Sequence, residues 1–136
     1  MRVLAVATLV AALHSAGGLS GAYRATVTAA ALRATGVPAQ EASFDAGTWT
    51  LVVGNGRWTM RQTHGVLGNA VAVGDLQVKG NRALFTLRKI DGVPHHEFAG
   101  AVTWQRAGSK LRFRRAGVAW IYEMFVLVAQ PWARAS

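Results

Sequence analysis

The chain has 136 residues, a length that fits one domain and leaves no room for two. Hydrophobic residues make up 51% of it and charged residues 15%, which excludes an intrinsically disordered chain. Lys and Arg number 15 against six Asp and Glu, so the overall charge favours an anionic partner, although a GC-rich coding sequence would also explain the Arg excess. The absence of Cys excludes disulfides and thiolate metal sites.

The N-terminal segment has the composition of a secretory signal peptide. Arg2 supplies a positive charge, residues 3–13 form an apolar run, and small residues follow over 15–22. The run is too short to span a membrane, which takes about 20 apolar residues. We therefore predict a signal peptide over 1–22, with cleavage near residue 17 or 18 as an alternative, and an unanchored domain over 23–136 that is secreted or lies on the cell-envelope exterior. The competing interpretation is a buried first strand or helix.

Alternation of apolar and polar residues, punctuated by turn residues, predicts mostly strands. Residues 28–36 are the exception and predict a short helix, with Thr28 as N-cap and Gly36 as stop. A polar loop is predicted from there to Asp45. Asn55 with Gly56, and Gly80 with Asn81, are residues that suit tight hairpin turns. The predicted strands are 22–28, 48–53, 57–63, 75–79, 82–89, 96–105, 111–115 and 122–129.

Eight strands with short connections predict an all-β fold, an antiparallel barrel or sandwich with one short helix after the first strand. Alternation also predicts which side chains face inward, because successive residues of a strand point to opposite faces. The last strand is apolar on both faces, as expected of a covered strand. The predicted inner face consists of Trp49, Leu51, Val53, Trp58, Met60, Gln62, Leu76, Val78, Phe85, Leu87, His96, Phe98, Val102, Trp104, Leu111 and Phe113.

Several short motifs resemble a known family. The Gly-Thr-Trp sequence at 47–49 is similar to the Gly-x-Trp signature of the calycin superfamily, which includes lipocalin-like and avidin-like barrels. The fuller pattern resembles small secreted bacterial lipocalin-like domains of unknown function, and it lies at residues 23–28, 47–51, 56–58 and 131–134. This resemblance covers nearly the whole of 23–136. It implies a calycin-like barrel with Trp49 near its closed end, stacked under a guanidinium such as that of Arg134.

The chain departs from lipocalins proper in two respects. A strand and a helix precede the Gly-x-Trp motif, which normally lies near the first strand, and no C-terminal helix can follow residue 130. The polar ligand contacts of avidins have no match in this sequence. The resemblance therefore does not imply biotin binding.

An eight-stranded barrel is either filled by its own side chains or encloses one small ligand. The predicted inner face is crowded with large apolar side chains, which favours a small apolar pocket or none. We expect any pocket to open opposite the end that holds Trp49. Plain core packing is the competing role for each aromatic residue. The candidate ligand contacts are Trp58, Met60, Phe85, Phe98, Trp104 and Tyr122 as apolar walls and His96 as the polar contact.

Residues 95–97 form a candidate metal cluster of two His and one Glu. Neighbours on a strand point to opposite faces, so His95 pairs with Glu97 and not with His96. A third ligand would have to come from a distant loop. We therefore predict no metal site, no cofactor and no catalytic residues.

A basic stretch over 104–115 carries Arg residues among aromatic ones, as nucleic-acid-binding strands do. The strand period separates them, because Phe113 faces away from Arg112 and Arg114. Nucleic acid is for this reason a disfavoured partner, and an anionic component of the cell surface is preferred.

Three functions from different classes are consistent with these patterns. The leading prediction is a secreted protein that binds a small hydrophobic or amphipathic ligand in a barrel cavity. The alternative is a solid-core interaction module whose basic face docks on an anionic envelope polymer or protein. The third, an isomerase or cyclase using His96 or a Glu as acid or base, lacks a convergent set of residues. Open apolar space inside the barrel would favour the first function over the second.

The predicted faces imply two unequal effects on stability. Trp49→Ala removes a large buried side chain, and we expect it to lower the free energy of unfolding by ~3–5 kcal/mol. Arg112→Ala changes a hydrated face and should leave that free energy nearly unchanged. Chemical denaturation of the two variants measures the difference. Equal small effects would show that the inner and outer faces are wrongly assigned.

Overall fold

The computed structural model describes residues 18–117 and 121–135, which form a closed antiparallel barrel. Its eight strands pair in sequence order, and β8 pairs back with β1. The predicted fold class is thereby confirmed. The strands are β1 (Gly21–Val27), β2 (Gly47–Gly54), β3 (Arg57–Gly65), β4 (Val71–Lys79), β5 (Arg82–Ile90), β6 (Val93–Ala107), β7 (Lys110–Arg115) and β8 (Trp132–Arg134), and the helices are α1 (Ala29–Ala34), α2 (Ala39–Asp45) and α3 (Tyr122–Ala129).

The two predicted hairpin turns are present. Asn55 and Gly56 connect β2 to β3 at φ 54° and 70°, the positive values that a type I′ turn requires. Gly80 and Asn81 connect β4 to β5, with Gly80 at φ 58°. Gly47 of the Gly-x-Trp motif has a different role, because a Cβ there would overlap a backbone carbonyl of β3. These residues fix the register of neighbouring strands.

Large side chains fill the middle of the barrel. The ring of Trp58 packs edge-on against Phe85 with centroids 5.4 Å apart, and Phe85 packs against Phe113 with centroids 6.5 Å apart. The predicted inner face is confirmed in β2, β3, β4, β5 and β7. Its buried members there are Trp49, Leu51, Val53, Trp58, Met60, Gln62, Leu76, Phe85, Leu87, Leu111 and Phe113, and Val78 is partly buried.

The inner face of β6 is predicted wrongly over its first half. The pairing of β5 with β6 shifts between Phe85, opposite Gly100, and Thr86, opposite Phe98, so Ala99 is an extra residue. Such a bulge reverses the alternation on one side of it. Phe98 therefore lies on the outer face beside Thr86 and is 43% exposed, and His96 is exposed as well.

The segment predicted as the last strand is the helix α3. Its residues are apolar on every side, and a short apolar run does not distinguish a buried strand from a buried helix. Met124, Val126 and Leu127 are buried against the barrel. The strand that closes the barrel follows instead, as the three residues of β8, which pair with β7 and with β1.

The region between β1 and β2 contains two helices where one was predicted. Thr28 caps α1 as expected, accepting a hydrogen bond from the backbone N–H of Ala31 at 3.0 Å. The polar stretch that leads to Asp45 was predicted as a loop, and this is wrong because residues 39–45 form α2. Ala42 and Asp45, three positions apart on one side of α2, are buried. The helix is therefore held by packing more than by its own short sequence.

The two ends of the barrel differ. All three helices lie at the end where β1 stops and β2 starts, and Trp49 lies at that end. At the opposite end Tyr23 is fully buried, with the guanidinium groups of Arg106 and Arg134 at 5.9 and 5.3 Å from its ring centroid. The expected stacking of Arg134 on Trp49 is wrong, because Arg134 belongs to the far end of the barrel and covers Tyr23. That end is closed.

Residues just before β1 are part of the core. Leu19 is fully buried, and its carbonyl oxygen accepts a hydrogen bond from the Tyr23 hydroxyl at 2.9 Å. Arg106 donates to the carbonyl of Gly18 at 2.6 Å. Most of the predicted signal peptide lies outside the described residues. The closed end therefore includes residues 18–22, which the predicted boundary after Ala22 would remove, and the position of cleavage stays a prediction.

Two truncated chains test the contribution of these residues. A chain that begins at Gly18 keeps Leu19 and all of β1, whereas a chain that begins at Tyr23 loses both Leu19 and the first two residues of β1. We expect the shorter chain to be less stable by at least ~2–5 kcal/mol, the cost of losing a buried Leu side chain. Urea unfolding measures this loss, and Leu19→Ala in the longer chain should reproduce most of it. Equal stability of the two truncated chains would rule out a structural role for residues 18–22.

Candidate functional site

A pocket of about 420 Å³ lies at the helix-covered end of the barrel. Its walls come from α2, from the start of β2, from the loop over 66–70, from the start of β4 and from the end of β5. The pocket therefore lies at the same end as Trp49, and the expectation that a pocket would open opposite Trp49 is wrong. Trp49 is itself part of the pocket wall.

Hydrogen bonds from buried side chains fix α2 over this end. The indole N–H of Trp49 donates to the carbonyl of Asp45 at 2.8 Å. The side-chain amide of Gln62, which is fully buried on β3, donates to the carbonyls of Phe44 and Ala46 at 3.0 and 3.2 Å. A buried donor without an acceptor is costly, so these bonds strongly favour one position of α2. Phe44 is thereby held at the rim of the pocket.

The loop over 66–70 forms the facing wall. The backbone of Gln62 accepts from the N–H of Asn69 at 3.0 Å and donates to the carbonyl of Ala70 at 2.9 Å, which folds the loop back on β3. At Gly65 a Cβ would lie 2.6 Å from the side chain of Gln62, so the fold requires glycine there. Leu67 is left 40% exposed on the loop, across the pocket from α2.

A two-way contact fixes the third side of the pocket. The carboxylate Oδ1 of Asp91 accepts a hydrogen bond from the N–H of Val71 at 2.7 Å, and the N–H of Asp91 donates to the carbonyl of Val71 at 2.8 Å. Asp91 has φ 50°, a turn conformation that Asp tolerates better than most residues. The start of β4 and the end of β5 are thus joined, and Ile90 is directed to the pocket.

The pocket combines an apolar surface with carboxylates. Phe44 is 38% exposed, an unusual exposure for a large aromatic side chain. Glu41, Asp45 and Asp91 are the acidic residues of the wall, and no Lys, Arg or His is found among the described residues that line it. Such a site suits the apolar body of a small molecule with a polar group. Its other apolar wall residues are Trp49, Leu67, Ala70, Val71, Ala72 and Ile90.

Sequence analysis selected other residues as ligand contacts, and the structure places them elsewhere. Trp58, Met60 and Phe85 lie in the middle of the barrel, fully or almost fully buried. Trp104 is partly buried near the closed end, where it lines a depression with Arg112 and Arg114. None of these residues lines the pocket under α2.

Of the remaining candidates, His96 and Phe98 lie on the outer face of the barrel, and the side chain of Tyr122 is not described. His96 and Phe98 border a shallow groove with Asp75 and Arg88 on the outer face. Tyr122 is the first residue of α3, and its side chain is outside the part of the chain that the structure describes. Ligand contact by these residues stays a prediction.

The expected pairing within the His-His-Glu sequence is confirmed. Nδ1 of His95 lies 3.7 Å from Oε1 of Glu97, and His96 points away from both. Among the side chains that the structure describes, which leave out those of residues 122 and 123, no three His, Asp or Glu are grouped as a metal ion would require.

Phe44, Leu67 and Asp91 were missed because they lie in segments without strand alternation, whereas Trp49 was predicted on the inner face of a strand and not as a ligand contact. Phe44 and Leu67 are large apolar residues within stretches that are otherwise small or polar. Large apolar residues in two separate non-strand segments at one barrel end are a signal for a shared apolar site.

Comparisons of the chain with protein-family models, with curated proteins and with solved structures found no match. Fold and site therefore define the class of protein: a closed eight-stranded antiparallel barrel, compatible with a calycin-like fold, that has a pocket at one end. Among the helices of the described residues, none has the length and apolar character needed to cross a bilayer.

Proposed function

We propose that this chain is an exported, lipocalin-like binding protein that holds a small hydrophobic or amphipathic molecule in the pocket under α2. The observation that supports it most is the apolar wall that Phe44, Leu67 and Ile90 give this pocket of about 420 Å³, since depressions of similar volume elsewhere on the barrel are lined mainly by polar and basic residues. Ligand pockets of small molecules have this range of volumes and this combination of apolar walls with a few polar groups. The Gly-x-Trp motif and the barrel order support the calycin-like assignment.

The ligand site of this proposal differs from the lumen of a wide barrel. The middle of the barrel is filled by aromatic side chains, such as the Trp58, Phe85 and Phe113 cluster. A ligand therefore occupies the space between the barrel end and α2 and does not enter the centre. The proposed export depends on the apolar N-terminal run and its small-residue flank, which are features of sequence alone.

A neutral, rigid probe tests the pocket. We expect 1-adamantanol to bind saturably, and Ala70→Trp to weaken that binding at least ~10-fold, because an indole would occupy the pocket. Isothermal titration calorimetry gives the affinities, and backbone NMR shifts at Val71 and Asp91 locate the probe. Ala133→Trp is the matched control, since Ala133 is exposed on the outer face of β8.

Two results would contradict the proposal. One is the absence of saturable binding to the unsubstituted protein. The other is an equal loss of affinity in the Ala70→Trp and Ala133→Trp variants, which would mean that the probe does not enter the pocket.

A second candidate function, docking on an anionic envelope polymer or protein, is favoured by one specific observation. On the outer face, one residue from each of five neighbouring strands forms a row. In order, the row consists of Lys110, Ala133, Arg24, Thr50 and Arg61. Neighbouring strands are ~4.8 Å apart, so the three basic residues follow one another at intervals of roughly 10 Å. The side chain of none of the three basic residues forms a hydrogen bond or an ion pair with another described residue. They remain available to an anionic chain.

Heparin, a sulfated polysaccharide, serves as the probe for this row. We expect the double variant Arg24→Gln, Lys110→Gln to bind heparin ~3–10-fold more weakly at physiological salt, because two exposed charge contacts are lost. The control is Arg57→Gln, Arg88→Gln, which removes the same charge from another part of the wall. Affinity chromatography and calorimetry compare the two. An equal effect would indicate a response to net charge and would exclude a defined docking row.

A further inference from the structure

The charge of the pocket is opposite to the charge of the chain. Basic residues outnumber acidic ones by 15 to six, yet half of the acidic residues, Glu41, Asp45 and Asp91, line this single pocket. Within the described chain no basic side chain lines it. A random distribution of the charged side chains would place more basic than acidic ones at such a site. The pocket is therefore locally anionic in a cationic protein.

Two of these carboxylates are accessible to a ligand. Glu41 is partly exposed in the first turn of α2 and makes no ion pair with another described residue. Asp91 is exposed and uses Oδ1 to accept from the N–H of Val71, which leaves Oδ2 for another donor. Asp45 is buried deeper in the wall. The charges thus lie beside the apolar surface that Phe44, Ile90 and Leu67 provide.

We propose that the ligand of this pocket is a compact organic cation, an amine or ammonium group attached to an apolar body. This inference rests on the proposed function, since it specifies the ligand class of the same pocket. Carboxylates favour the ammonium group by charge and by accepting its hydrogen bonds. The aromatic rings of Phe44 and Trp49 favour it as well, because the face of an aromatic ring attracts a cation.

An organic cation fits better than a metal ion or an anion. A divalent metal requires a set of ligands that converge on one point, and no such group of three is present among the described residues. A fatty acid or another carboxylate would be repelled by Glu41 and Asp91, with no basic side chain in the described wall to offset the repulsion. The apolar surface then selects amines that carry a hydrophobic body over small polar ones.

Three probes with the same body and different head groups test the charge preference. They are 1-aminoadamantane, which is a cation at neutral pH, the neutral 1-adamantanol, and adamantane-1-carboxylate. We expect the amine to bind at least ~5-fold more tightly than the alcohol and at least ~10-fold more tightly than the carboxylate at low salt, as measured by calorimetry. The preference should decrease as salt is added, because the carboxylates involved are partly exposed.

Removal of the two accessible charges should remove the preference. In the double variant Glu41→Gln, Asp91→Asn, the amide oxygen at position 91 can still accept from the N–H of Val71, so the pocket wall is retained. We expect this variant to lose most of the difference in affinity between the amine and the alcohol. The matched control is Asp75→Asn, Glu97→Gln, which changes the net charge equally on side chains outside the pocket. The control should keep the preference.

The outcomes separate this inference from the proposed function. Binding of the alcohol without a preference for the amine would overturn the inference and keep the pocket as a ligand site. Equal loss of preference in both double variants would also overturn it, because the cause would then be the charge of the whole protein. No binding of any of the three probes would overturn both.

Discussion

The arrangement of this protein depends on the indole N–H groups of three buried tryptophans that find acceptors, whereas the buried indole N–H of Trp104 has no hydrogen-bond partner among the described residues. Trp49 and Trp132 find theirs on helix carbonyls, of Asp45 in α2 at 2.8 Å and of Leu127 in α3 at 3.0 Å. Trp58 bonds across the barrel to the carbonyl of Thr86 at 3.2 Å. Since an unsatisfied buried donor costs about 1–3 kcal/mol, the tryptophans that fill the barrel also hold two of its helices in place. The same tryptophan side chains thus pack the core and determine where α2 and α3 lie.

Because the helices cover only one end, the two ends of the barrel differ. At the closed end, Arg106 donates to the Tyr23 hydroxyl at 2.9 Å, and Leu19 is packed below. The polar groups at this end are hydrogen-bonded and the apolar ones are buried. At the helix-covered end, α2 is held through the carbonyls of Phe44, Asp45 and Ala46. Glu41 and Phe44 of this helix line the pocket there.

The barrel could be predicted from sequence because its signals are local. Alternation in β2, β3 and β5, and the Asn55–Gly56 turn, each depend on residues that are adjacent in the chain. The wrong predictions concern segments whose conformation depends on residues distant in the chain. The bulge at Ala99 is visible only in the pairing of β6 with β5, and it moved His96 and Phe98 to the outside. The segment of α3 has no period that separates helix from strand, and its conformation is decided by packing on the barrel.

The same distinction explains why the site was not found in the sequence, although its residues are ordinary. The summed charge of the chain indicates anionic partners, and this holds for the outer wall, where Arg and Lys are spread over many strands. Charges separated by more than ~8 Å are largely screened at physiological salt, so those residues have little effect inside a pocket with its own carboxylates. Glu41 and Asp91 are 50 positions apart in the chain and come together only when α2 covers the ends of β4 and β5. Net charge therefore describes what approaches the barrel wall, whereas the local set of side chains decides what enters the pocket. The proposed site for an organic cation is therefore compatible with the positive net charge of the chain.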